Sequence, residues 1–200
     1  MSAMGNETVV LRDDDPRRDD LESRGYTVVG QSWGARLELA DPPDLSIVRR
    51  ALDRVTAAGV SVSELPMTAA DDLYELEKAN NGDYPFTPAT SHDLLDADAT
   101  RELWSQGFRV FGAYDGGRLL GATLIVHRGT HAETEFTSVL AARRGAGIGA
   151  AVKAASILAC ATDGARVFGT GGAAANGASL GVNQALGYVV TERWYSYRAP

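Results

Sequence analysis

The stretch "TSVLAARRGAGIGAAVKAAS", residues 137–156, restricts this chain more than any other. A β-like run gives way to two arginines and three alternating glycines, then to an alanine-rich run of helical character. A glycine-rich bend at a helix start leaves several backbone N–H groups pointing outward, at the positive end of the helix dipole. Glycine also lets a ligand come close to the backbone. Arg143 and Arg144 add charge beside the bend. The arrangement suits an anion, and phosphate above all. It also implies a strand–loop–helix unit, and so an α/β fold.

The rest of the chain supports that class. From residue 60 onward the pattern reads β, α, α, β, β, β, α, β, α, β. Asp115-Gly116-Gly117 lies between two apolar runs, a strong hairpin signal. A β–α–β crossover falls late in the chain, around the glycine bend, so a mixed sheet flanked by helices is expected. Before residue 60, "GYTVVGQSWGARLEL" (25–39) predicts two short strands. The helix after it is capped by Asp44 or Ser46, carries an apolar stripe of Ile47, Val48, Leu52 and Val55, and ends at Gly59. Thr68 is the expected cap of the next helix. "GDYPFTPATSHD" (82–93) is a proline-broken loop long enough to line a site.

Composition narrows the partners. At 200 residues with 44% apolar content the chain can bury one sizeable α/β core. A formal charge of −7 argues against nucleic acid, and it is compatible with a cationic substrate. One cysteine, Cys160, excludes an internal disulfide and fits a reducing compartment; a packed small residue is its expected role. No run is long and apolar enough to span a bilayer, so a cytoplasmic protein without a membrane partner is expected.

Three phosphate motifs compete for the bend. A nucleoside-triphosphatase loop needs Gly-Lys-Ser/Thr, which is missing. A dinucleotide fingerprint can be forced onto Gly145, Gly147 and Ala150, but "AARR" separates strand from glycine and Asp163 is misplaced for the ribose. The third is Arg/Gln-x-x-Gly-x-Gly/Ala, here Arg144-Gly145-Ala146-Gly147-Ile148-Gly149. It resembles the pyrophosphate loop of the GNAT acetyltransferase superfamily. Downstream, Asn176, Ser179, Leu186, Gly187 and Tyr188 fall in step with that family's Asn-x-x-Ala-x-x-x-Tyr-x-x-Leu-Gly-Phe helix. The resemblance covers roughly residues 58–200. Thr137, Val139, Lys153 and the Asn-x-x-Leu-Gly pattern also resemble the actinobacterial mycothiol-synthase-like branch.

The resemblance implies a GNAT fold and acetyl-CoA as acyl donor. Backbone N–H groups of Arg144, Gly145, Ala146, Gly147, Ile148, Gly149 and Ala150 would hold the pyrophosphate. Val139 and Leu140 would pair with the pantetheine arm, one backbone N–H there polarising the thioester carbonyl, and Asn176 would touch the arm. Asn183 stands where many relatives carry the tyrosine that protonates the leaving thiolate, and an amide cannot act as that acid. A thiol pKa of about 8.5 makes thiolate a tolerable leaving group regardless.

The acceptor poses the larger demand. An amine of pKa about 10.4 is neutral about once in two thousand at pH 7, a handicap of roughly 4.6 kcal/mol that a base removes. Glu133 and Glu135 lie on the strand leading into the bend, where the resemblance implies the family's base. They share a face by the strand's period of two, and if that face points at the substrate groove one of them is the base. Asp83 and Tyr84 are candidates to line the acceptor pocket. No metal is expected. The function implied is acyl transfer to a primary amine of a small molecule by direct attack. The alternatives are an acyl-CoA-binding regulatory module and a peptide or protein acetyltransferase.

Finally, "LESRGYTVVGQSWGARLEL" (21–39) resembles "NQALGYVVTERWYSYRA" (183–199), matching Gly25-Tyr26 to Gly187-Tyr188. Residues 1–45 are therefore expected to be an extension resembling the tail of a preceding acetyltransferase domain, and residues 46–200 the acetyltransferase domain. The extension would pack as an extra hairpin plus helix, or pair with a neighbouring chain's sheet in a homodimer.

Overall fold

The computed structural model of the chain describes residues 8–83, 85, 87–90 and 93–200. One eight-stranded sheet runs through the molecule. Its right-hand half is a meander. The strands β3 (Ser61–Glu64), β4 (Phe108–Asp115), β5 (Arg118–Arg128) and β6 (His131–Val139) are antiparallel neighbours. Gly116 and Gly117, at φ 55° and 81°, make the expected β4–β5 turn. The long helix α5 (Ile148–Thr162) then crosses over to β7 (Val167–Ala173), which lies parallel to β6. This is the β–α–β unit that the glycine bend required.

The left-hand half departs from expectation. Residues 25–39 make a single strand, β2 (Thr27–Glu38). Gly30 and Gly34 sit inside it at irregularities in the ladder, not at a turn. A Cβ at Gly30 would crowd Thr87 and Pro88, and one at Gly34 would crowd Glu192, so both glycines serve close packing. β2 lies between β7 and the last strand, β8 (Val189–Arg198), antiparallel to both, and β8 is itself one strand. On its outer side β8 pairs with β1 (Thr8–Arg12).

The two similar segments thus face each other. β1, α1 (Arg17–Ser23) and β2 form one β–α–β unit; β7, α6 (Gly177–Ala185) and β8 form the other. Gly25 and Gly187 follow the two helices with φ of 84° and 96°. β1 pairs with β8 as β7 pairs with β2, so each unit closes the other.

Helices cover both faces. α2 (Ser46–Thr56) and α5 pack together on one, α3 (Ala70–Asn80) and α4 (Ala97–Ser105) on the other. Neither expected residue is the cap of α2: Leu45 precedes the helix with no side-chain cap bond, and Asp44, one position earlier, accepts the Ser46 N–H at 2.9 Å through Oδ1 as an Asx-type turn. Of the expected α2 stripe, Val48, Leu52 and Val55 pack inward, while Ile47 is exposed because it falls about a quarter-turn off that line. Thr68 makes no cap bond; a short 3₁₀ turn over Met67–Ala69 leads into α3 instead. No helix among the described residues is long and apolar enough to cross a membrane.

Candidate acyl-transfer site

β6 and β7 pair only from His131↔Val167 to Glu133↔Gly169. Beyond Glu133 they splay, and α5 begins in the gap. β6 is also irregular there: Leu124 of β5 faces Phe136 and Ile125 faces Thr134, so Glu135 bulges without a partner opposite. Two cavities open at the splay. One, of about 400 Å³, is lined by the glycine bend, Thr137 to Val139, the first turns of α5 and the inner face of α6. The other, of about 470 Å³, holds Glu133, Glu135, Trp33 and Trp194. Thr137, Asn176 and Ser179 line both, so the cavities meet at those residues.

The bend has the form that its composition required. Gly145 and Gly147 take φ of 77° and 83°, a region closed to most side chains, and Gly147 is the residue before α5. The Arg144 N–H, expected among the free amides, donates to the Ala141 carbonyl at 3.3 Å; the next N–H to reach a backbone carbonyl is that of Ala151, to Gly147 at 3.0 Å. The N–H groups from Gly145 to Ala150 have no acceptor among the described residues. Gly145 and Ala146 are exposed, Gly147, Gly149 and Ala150 are half-buried and Ile148 is buried; all of these but Ala146 line the cavity. A concentration of undonated amides at the start of a 15-residue helix is an anion cradle.

Its arginines are tied down. Arg144 donates to Asp83 Oδ2 at 2.7 Å, to Asn80 Oδ1 at 3.4 Å and, through Nε, to the Val139 carbonyl at 3.1 Å. Arg143 pairs with Asp115 at 2.7 Å. Both pairs are half exposed, hence weak and open to exchange with a bound anion. Asp83 therefore stands in the glycine-bend cavity, not in the carboxylate-lined one where an acceptor residue was expected. Tyr84 lies outside the described residues. Leu140 is a second departure: its N–H is already donated to the Leu120 carbonyl at 2.9 Å, and its side chain packs in the core, so it offers no oxyanion donor. Val139 lines the cavity; Ala146 is exposed beside it.

On α6, Asn176 spends its Oδ1 on capping, accepting the Ser179 N–H at 3.0 Å, and keeps its amide NH2 for the cavities. Asn183 is buried; its Nδ2 donates to the Ser179 carbonyl at 2.9 Å, while Oδ1 has no donor among the described residues. It lines the glycine-bend cavity but carries no acidic proton.

The carboxylate-lined cavity has no lysine or arginine in its wall among the described residues. The Glu133 carboxyl lies across β7 at Gly169, where any Cβ would overlap it. Partial burial raises its pKa, opposed by Arg36 and Lys153 and assisted by Glu135 and Glu192. The strand's alternation puts Glu133 and Glu135 on one face, and both line this cavity. The alternation did not reveal Gly169, whose missing side chain makes room for Glu133, nor Trp33, buried in the wall with no partner for its Nε1 among the described residues. Cys160 is fully buried on α5, and burial pushes its thiol up to about 11, so it is no nucleophile at neutral pH. No cluster of metal-binding side chains occurs among the described residues.

Comparison with known proteins agrees with this geometry. A family model described as "Acetyltransferase (GNAT) domain" matches residues 44–177. A GCN5-related N-acetyltransferase from Sphaerobacter thermophilus superposes with a TM-score of 0.69 at 18% identity, over 96% of this chain and 59% of that one. A GNAT-family acetyltransferase from Colwellia psychrerythraea gives 0.66 at 14%, over 96% and 65%. A tandem GNAT protein from the clavulanic acid biosynthesis pathway, solved without AcCoA, gives 0.63 at 19%, over 96% and 64%. The chain spans less than two thirds of each of these structures. No curated protein sequence matches it. With the family model covering most of the chain, and with the splayed β6–β7 pair and the open glycine bend in place, the chain belongs to the GNAT acetyltransferase family.

Proposed function

We propose that this protein is an N-acetyltransferase that moves an acetyl group from acetyl-CoA to a primary amine of a small, cationic molecule, by direct attack in a ternary complex. The run of undonated amides from Gly145 to Ala150, opening on a cavity that meets a carboxylate-lined one, carries this reading. The amides suit a diphosphate. The free edge of β6 beyond Glu133 suits the amide groups of a pantetheine arm, and the Asn176 NH2 stands where the two cavities meet. Bound acetyl-CoA supplies an activated acyl group as a thioester; binding, orientation and proton removal fall to the chain.

Proton removal belongs to Glu133. Its raised pKa brings it closer to that of the incoming ammonium, which eases transfer. Glu135, beside it in the same wall, holds the substrate's charge. The wall's negative character and its two tryptophans favour an organic cation over an anionic acceptor.

Calorimetry with CoA, followed by thiol release from acetyl-CoA in the presence of a panel of small amines, tests the reading. Saturable CoA binding and amine-dependent release are expected. Indifference to CoA overturns it. Binding without release by any amine favours a second reading, a CoA-responsive module without turnover, to which the amide at Asn183 points.

A further inference from the structure

Lys153 has no role in the scheme above, yet it is the least expected residue in the site. It lies on α5 one turn beyond Gly149, on the face that looks toward Thr137 and Val139 of β6. It is 2% exposed. Its Nζ stands 3.4 Å from Thr170 Oγ1 and 5.4 Å from the centre of the Tyr188 ring, and no carboxylate is in ion-pair contact with it among the described residues. A buried ammonium without a carboxylate is costly, and methionine would fill the same space without that cost. Lys153 lines the glycine-bend cavity while Thr170 lines the carboxylate-lined one, so the amine stands beneath their junction.

We propose that Lys153 is the proton donor to the departing sulfur, taking on α5 the task that Asn183 on α6 cannot perform. The inference rests on the acetyl-transfer reading. Glu133 on β6 is the charged group that acts on Lys153, and Tyr188 ahead of β8 is the titratable ring beside it. Burial lowers the amine to about 7, opposed by Glu133, so both of its forms are populated near neutrality. Glu133 removes a proton from the substrate ammonium, and the freed nitrogen pair forms the bond to the acetyl carbon. As the carbon–sulfur bond breaks, its electron pair stays on sulfur and takes a proton from Lys153 Nζ. The second proton lost by the new amide nitrogen restores Lys153, and the one held by Glu133 passes to solvent. The balance is one amide, one thiol and one released proton for each ammonium and thioester consumed.

The test compares binding of CoA with that of desulfo-CoA, which lacks the sulfur, by calorimetry from pH 6 to 9.5. A lysine aimed at sulfur makes CoA bind about tenfold tighter than desulfo-CoA, the equivalent of one pKa unit. That preference is largest between the amine's value of about 7 and the thiol's of about 8.5, and declines on either side. In K153M the preference disappears while desulfo-CoA binds as before. An unchanged preference, or an equal loss for both ligands, overturns the proposal, since the latter marks a purely structural lysine. A gain of one acetyl group on Lys153, seen by peptide mass spectrometry, also overturns it, because the amine is then an acceptor. If neither ligand binds the unaltered protein, the acetyl-transfer reading fails first.

Discussion

Glu133 shows how a single residue's chemistry is set by a neighbour that has no side chain. Its carboxyl occupies the space over Gly169, where partial desolvation raises its pKa. E133Q is expected to lower kcat/KM by about 10²- to 10⁴-fold with CoA affinity intact, as loss of a general base does. In the unaltered protein the rate should fall as pH drops through the raised Glu133 value, and the E133Q profile should lose that limb. Lys153 makes the opposite kind of prediction, on stability. The unfolded chain holds the lysine proton up to 10.5, the folded one only up to about 7, so the unfolded state binds more protons between those values. The penalty on folding is therefore full below pH 7, on the order of 5 kcal/mol, and fades as pH rises toward 10.5. K153M should melt several degrees above the parent at pH 6, with the gap narrowing at pH 9, measurable by calorimetric melting.

At the scale of elements, the start of α5 is the unit to perturb. Gly147 combines a φ of 83° with a would-be Cβ only 3.3 Å from Val55 Cγ2 on α2. Alanine there costs roughly 1–2 kcal/mol in backbone strain alone. It also pushes the helix start away from α2, which disturbs the amides of the bend. We expect G147A to remain folded by circular dichroism while CoA affinity falls about tenfold or more. Retention of full affinity would mean that the bend tolerates a right-handed residue and does not depend on this geometry. G169A tests the neighbouring element separately: it should displace the Glu133 carboxyl and reduce turnover with little effect on CoA binding.

At the scale of the molecule, residues 8–38 are part of the one sheet. β2 separates β7 from β8, Trp33 is buried in the main core, and Ser32, Trp33 and Gly34 line the carboxylate-lined cavity. Removing residues 1–40 would strip the flank from two strands at once. The truncated chain is expected to be insoluble or molten by near-ultraviolet circular dichroism. W33A, which leaves the strand in place, should cost about 3–5 kcal/mol in urea unfolding. A soluble, cooperatively melting truncation would show that β7 and β8 can close on each other without β2.

The local features of this protein were legible in its sequence because their causes are local. Glycines with positive φ, the Asp-Gly-Gly hairpin, the strand–bend–helix crossover and the alternation that puts Glu133 and Glu135 in one cavity wall all follow from neighbours a few residues apart. The similarity between the two ends of the chain was legible too, but its consequence was not. Thr27 pairs with Arg198, and no short-range pattern records which distant strands share a ladder. For the same reason only the tertiary structure decided that Asp83 would hold Arg144, that Leu140 would spend its N–H on Leu120, and that Lys153 would lie buried between two cavities. Side-chain identity sets what a group can do chemically, whereas packing across the sheet sets its solvation and its partners.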